Sequence, residues 1–167
     1  MALLAMTTAD IVKYVSDKDP AKVRKIVPMD PEVPDGPKKE EIEIGPNATY
    51  FHLAPLDVFL MGYIYDNASS LTGQQGGSEI GIKTKMNQTN IDAVRFGLVA
   101  VENFHDDRSG KNVIMKREKA FFAGRKYEAV PDAILTKLGV QLCAELADEI
   151  KRISEVSAAE AKNSEGA

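Results

Sequence analysis

His105, with Asp106 and Asp107 directly after it, is the cluster in this chain whose residue types come nearest to reaction chemistry: an imidazole for proton transfer beside two carboxylates. A metal centre would need a second histidine or a distant carboxylate brought to the same point, and the chain has only one other histidine, His52. The run DDRSG also reads as a turn whose aspartates bond local amides, which explains it without further chemistry. No calcium loop is present, because the alternating oxygen ligands and the terminal glutamate of that motif are missing. Cys143 is the single cysteine. It lies beside an apolar helical stripe with no histidine near it in sequence, and so reads as a half-buried structural thiol. One cysteine excludes an internal disulfide framework and a thiolate metal cluster. Glu145 and Glu149 sit one helical turn apart on the expected outer face of a helix, which leaves acid/base roles unsupported. The glycine-rich GQQGGSEIG lacks both a preceding strand and a following Lys-Ser/Thr pair, so it is no phosphate cradle. Neither a catalytic residue, a metal site nor a cofactor is expected.

Charge offers one binding hypothesis. The net charge of −4 is too mild to define a partner, but Arg108 to Lys126 holds seven basic residues against the single Glu118, while Asp132 to Ala167 holds seven acids against four bases. Lys116, Arg117, Lys119, Arg125 and Lys126 interleave with Phe121, Phe122 and Tyr127, a pattern that would give phosphate contact plus base stacking. A hairpin with its aromatics turned inward accounts for it equally well, and nucleic acid is the disfavoured partner.

The elements that must position these residues follow from hydrophobic periodicity. At 167 residues, one core of ordinary size is expected. The organisation predicted is a segment 1–45 of short helices and a proline-rich arm, an α+β core domain over 46–156, and a frayed tail over 157–167. In the first segment, short helices are expected over Ala9–Val15 and Ala21–Ile26. Pro28, Pro31, Pro34 and Pro37 with Gly36 then make a helix or a central strand improbable, and read as an exposed arm or linker. Glu41–Ile44 and Thr49–Leu53 read as two arms of one hairpin around Gly45-Pro46-Asn47. Pro55 suits a first helical turn, and Leu56–Asn67 is apolar on nearly every side, the mark of an interior or oligomer-contact helix. Ser69–Ser78 reads as a flexible loop and Glu79–Met86 as a strand. Ile91–Phe104 is expected to be the central helix, started by a capping box of Thr89 and Asp92. Val113–Met115 and Lys119–Tyr127 are strand-like, the latter turning at Gly124. Asp132 should cap a final helix that Gly139 interrupts, with Leu142, Leu146, Ile150 and Ile153 in one stripe. The fold class is therefore α+β: a small helical domain with a few short antiparallel strands and an extended N-terminal arm. Met1–Met6 is apolar but lacks a basic leader, and Leu56–Tyr65 is about half the ~20 residues needed to cross a bilayer. A cytoplasmic protein with no membrane span is the expectation.

Several phrases taken in order, YFHLAPLD, then FGLVAVENF, DDRSGK, a basic extended piece and ILTKLGVQLCAELADEIKRISEVSAAEAKNS, resemble small morphogenesis proteins of long-tailed bacteriophages, those described as tail assembly chaperones. The resemblance runs from about Thr49 to Ser164. Its specific parts are Glu102-Asn103-Phe104 with the turn after it, Glu145-Leu146-Ala147 and Ala161-Lys162-Asn163-Ser164. The arm over Ile26–Glu43 and the helix over Val58–Tyr65 are not part of it. The resemblance implies a non-enzymatic, oligomeric protein of the bacterial host's cytoplasm that coats the tape-measure protein before tail tube subunits assemble around it. Lys162-Asn163 is compatible with the frameshift site that such genes carry. The contacts with a tape-measure or tail tube protein are then expected at Leu56, Phe59, Leu60, Tyr63 and Ile64 and at Leu142, Leu146, Ile150 and Ile153, where apolar side chains would meet an apolar stripe. Two other roles stay open: a structural subunit of the virion's tail or neck whose proline arm grips a neighbour, and a nucleic-acid-binding or host-directed regulator acting through residues 108–126.

Overall fold

The computed structural model describes residues 11–72 and 79–163, with side chains over 11–66 and 87–155. Within them the chain is α+β. The elements in order are β1 (Val12–Tyr14), β2 (Lys22–Pro28), β3 (Lys38–Ile44), β4 (Tyr50–Leu53), α1 (Val58–Thr72), α2 (Glu79–Gly97), β5 (Leu98–Glu102), β6 (Glu118–Phe122), β7 (Arg125–Ala129) and α3 (Asp132–Asn163). The strands form an antiparallel sheet in the order β1-β4-β5 and two separate hairpins, β2-β3 and β6-β7.

The end of α2 decides the rest. The helix expected to run from Ile91 to Phe104 stops at Gly97 and passes straight into β5. Its last carbonyls are taken by tertiary donors: Val130 N–H to Arg95 O at 2.8 Å, the Arg117 guanidinium to Phe96 O at 3.1 Å, and Ala54 N–H to Gly97 O at 2.8 Å. Orphan carbonyls are the normal problem of a helix terminus, and here backbone just past β4 and β7, with the Arg117 side chain, satisfies them, so the valines that follow go into a sheet. Thr89 and Asp92, the expected cap, lie inside α2 and are buried. Glu79–Met86, expected as a strand, forms the beginning of the same helix.

The apolar side of α3 supplies one wall of the core. Leu138, Leu146, Ala147, Ile150 and Ile153 pack with Val94 and Phe96 of α2, Leu60 and Ile64 of α1, and the inward residues Phe51, Leu53 and Leu98 of the sheet. At Gly139 the backbone takes φ 75° and ψ 167°, so the expected interruption is a real kink. The α1 helix begins at Val58, where Asp57 Oδ1 accepts the Phe59 and Leu60 amides at 3.0 and 2.9 Å, two residues later than the expected start at Leu56. Ser69–Thr72 of the expected loop belong to α1, and the remainder, 73–78, lies outside the described residues.

Among the described residues neither expected N-terminal helix forms, because Val12–Tyr14 and Lys22–Pro28 are strands. Val12–Tyr14 pairs with β4, and Lys22–Pro28 pairs with β3. Glu41–Ile44 and Thr49–Leu53 therefore do not pair with each other. Glu145 holds β1 to α3: its carboxylate accepts Tyr14 Oη at 2.8 Å, Ser16 Oγ at 3.0 Å and the Asp17 amide at 2.9 Å. That glutamate is a structural acceptor, where an ordinary solvated residue was expected.

A Cβ built on Gly97 would stand 2.7 Å from Cδ1 and Cγ2 of Ile150, which is fully buried. Gly97→Ala should therefore destabilise the fold by about 1–3 kcal/mol, read as a lower midpoint in urea unfolding. Gly97→Ala combined with Ile150→Val should recover part of the loss, since the second change removes a methyl group from the clash.

Candidate interaction surface

The groups nearest to reaction chemistry are occupied structurally. Asp106 Oδ1 accepts the Arg108 and Ser109 amides at 3.0 and 3.1 Å, and Oδ2 pairs with Lys137 on α3. The ammonium of Lys137 and those two amides hold the Asp106 carboxyl down at about 2. His105 forms an isolated backbone bridge with Asn112, closing the polar turn. His52 lies in the sheet with Nε2 3.5 Å from Glu102, which also binds Lys13 at 3.1 Å. Among the described residues no group of three His, Cys, Asp or Glu side chains could hold a metal ion. Cys143 is buried, its Sγ 3.9 Å from the Leu135 carbonyl, and burial pushes the thiol up, away from the reactive thiolate.

The apolar residues expected to meet a partner divide into two groups. Leu56, Leu60, Ile64, Leu146, Ile150 and Ile153 are buried in the core, and Leu142 packs half-buried against it. Six of these seven are spent on the chain's own interior. Only Phe59 and Tyr63 stand on the surface, with Val58 beside them. Even there the β6-β7 hairpin gives partial cover: the Arg125 guanidinium lies 3.4 Å above the Phe59 ring, and Phe122 meets Tyr63 at 4.5 Å between centroids.

That hairpin also decides how the basic residues are used. Arg117 turns inward to the carbonyls of Phe96 and Glu128, at 3.1 and 2.6 Å, and Arg125 covers Phe59. Lys116, Lys119 and Lys126 remain exposed, with Glu118 and Glu128 between them. Phe122 and Tyr127 pack on Phe96 at 4.7 and 5.5 Å, so two of the three aromatics face the core and only Phe121 is free, at 80% exposure.

The surface that remains is the β2-β3 hairpin. It is fastened at its base: Asp19 accepts the Ala21 and Thr49 amides at 2.9 and 2.7 Å, Gly45 N–H reaches Ala21 O at 2.8 Å, and Asp17 binds Lys22 at 2.6 Å and Arg24 at 3.1 Å. The two cations draw the Asp17 carboxyl below the ordinary carboxylate range. Beyond the base none of the described residues buries it. Every residue of β3 is exposed, and Ile26, Met29, Val33 and Ile42 are each at least half exposed, at 50–75%. No residue of the hairpin belongs to the core cluster. No protein-family model, curated protein or solved structure matches the chain.

Sequence reasoning placed an arm here but missed its form. The signal was present in KVRKIV and KKEEIEI, two runs in which charged residues and β-branched residues mix on either side of a proline-rich turn. The prolines stay within the turn and at the strand ends, where a missing amide does no harm.

Because the folded state depresses Asp106, its contribution to stability is present above the ordinary aspartate value near 4 and is lost as pH falls towards about 2. Asp106→Asn should lower the unfolding midpoint at neutral pH, and the difference from the native chain should close between pH 4 and 2 in a urea titration series. A gap that persisted at pH 2 would show that the carboxylate's charge is not what holds the turn.

Proposed function

We propose that this protein is a non-enzymatic assembly subunit whose working part is the β2-β3 arm, and that the assembly is the tail or neck of a tailed bacteriophage. The observation that carries the assembly reading is an anchored hairpin with both faces open and apolar side chains at Ile26, Met29 and Ile42. A two-stranded hairpin is marginal alone in water, and an exposed apolar one gains most when another macromolecule covers it. The phage setting rests on the resemblance of residues 49–164 to tail morphogenesis proteins. Of the roles that resemblance leaves open, a subunit that grips a neighbour suits the arm best.

A tape-measure chaperone is the second reading, favoured by the exposed Val58, Phe59 and Phe121. These would offer an apolar face after the buried leucines are set aside. Mass spectrometry of purified particles separates the two. A structural subunit is present at a fixed copy number, and replacement of residues 24–42 by a short Gly-Ser turn prevents its incorporation while leaving the body folded by circular dichroism. Absence from particles, together with improved solubility of the tape-measure protein on co-expression, would replace the arm reading with the chaperone one.

A further inference from the structure

We infer that the partner of the arm is a second copy of this chain, the outer edge of β3 in one molecule pairing antiparallel with the outer edge of β2 in the next. This rests on the arm reading above and names its partner. Among the described residues β2 and β3 pair only with each other, so each presents an outer row of backbone donors and acceptors about 20 Å long. Those rows are what strand addition uses.

Charge selects which edges meet. β2 carries Lys22, Arg24 and Lys25 with no acid, whereas the half of β3 opposite them carries Glu40, Glu41 and Glu43. Within one hairpin this complementarity is already realised: Lys25 lies across from Glu41 and pairs with Glu43, and Arg24 binds Glu40 at 3.3 Å. A β3 edge meeting the next molecule's β2 in the same register repeats every one of these relations. It also sets the Ile26 and Ile42 side chains, which share one face of the hairpin by strand alternation, diagonally across each junction, with Glu40 directly opposite Ile26 and Arg24 directly opposite Ile42. Pairing like strands about a two-fold axis does the reverse. Centred on the charged stretch, it sets Lys25 against Lys25 or Glu41 against Glu41, and like charges directly opposite destabilise a sheet. Pro28, which has no amide to give, closes β2 at one end and confines the junction to Lys22–Val27. Unlike edges make a head-to-tail contact, so growth does not stop at two: it closes into a ring or continues as a filament.

The test uses the full chain at low ionic strength, with mass read by light scattering across a concentration series. The native chain should exceed the mass of a dimer. Arg24→Glu with Lys25→Glu gives two acidic edges, and Glu41→Lys with Glu43→Lys gives two basic ones. Each double variant alone should associate about a hundredfold more weakly, and an equimolar mixture of the two should regain the native mass. A variant that had simply lost its hairpin would not be rescued by mixing. A native chain that stays monomeric, stops at a dimer, or associates in a way that neither double variant weakens overturns the inference, and so does a mixture that fails to recover. If the chain is monomeric but residues 24–42 are still required for incorporation into particles, the arm reading stands and its partner is a different protein. If neither association nor incorporation needs those residues, the arm reading falls as well.

Discussion

The three carbonyls that close α2 hold the body together. Arg95, Phe96 and Gly97 each give their oxygen to a donor from elsewhere in the chain, and those donors lie at the end of β4, just before β6 and just after β7. The helix terminus is thereby a meeting point for the sheet and for the second hairpin. Its approach to α3 is close enough that Ile150 fills the space a side chain would need at Gly97. Burial of the surrounding leucines and isoleucines, at roughly 1.5–3 kcal/mol each, supplies the driving force. The carbonyl contacts supply the geometry.

Elements with a strong local signature were legible in the sequence. The kink at Gly139, the turn around Asp106, the α1 helix and the β6-β7 hairpin all announce themselves through residues that act within a few positions of one another. The helix–strand switch at Gly97 does not. Leu98, Val99, Ala100 and Val101 continue a helical pattern of apolar residues, and only the arrival of the Ala54 and Val130 amides, from positions far along the chain, diverts them into a sheet. The same difficulty affects β1, three residues long and defined by its pairing with β4 rather than by any pattern of its own.

Most of the candidate contact residues lie in the core for a related reason. Periodicity finds the apolar face of a helix but not what lies against it: Leu60 and Ile64 of α1 and Leu146, Ile150 and Ile153 of α3 share one core. On the β2-β3 hairpin, the apolar residues left open sit in strands full of charge, where periodicity is weakest. Charge in this arm keeps an exposed strand soluble.

The anchoring of β1 by Glu145 has a mechanical meaning for the arm. From α3 the path runs through Glu145 to the Asp17 amide, and from the Asp17 carboxylate to Lys22 and Arg24 at the root of β2. The hairpin is thus braced against the longest helix, with no slack tether between them. A braced projection meets its counterpart already aimed, so little orientational freedom has to be surrendered on docking. Force applied at the tip is passed by polar contacts into the body of the protein.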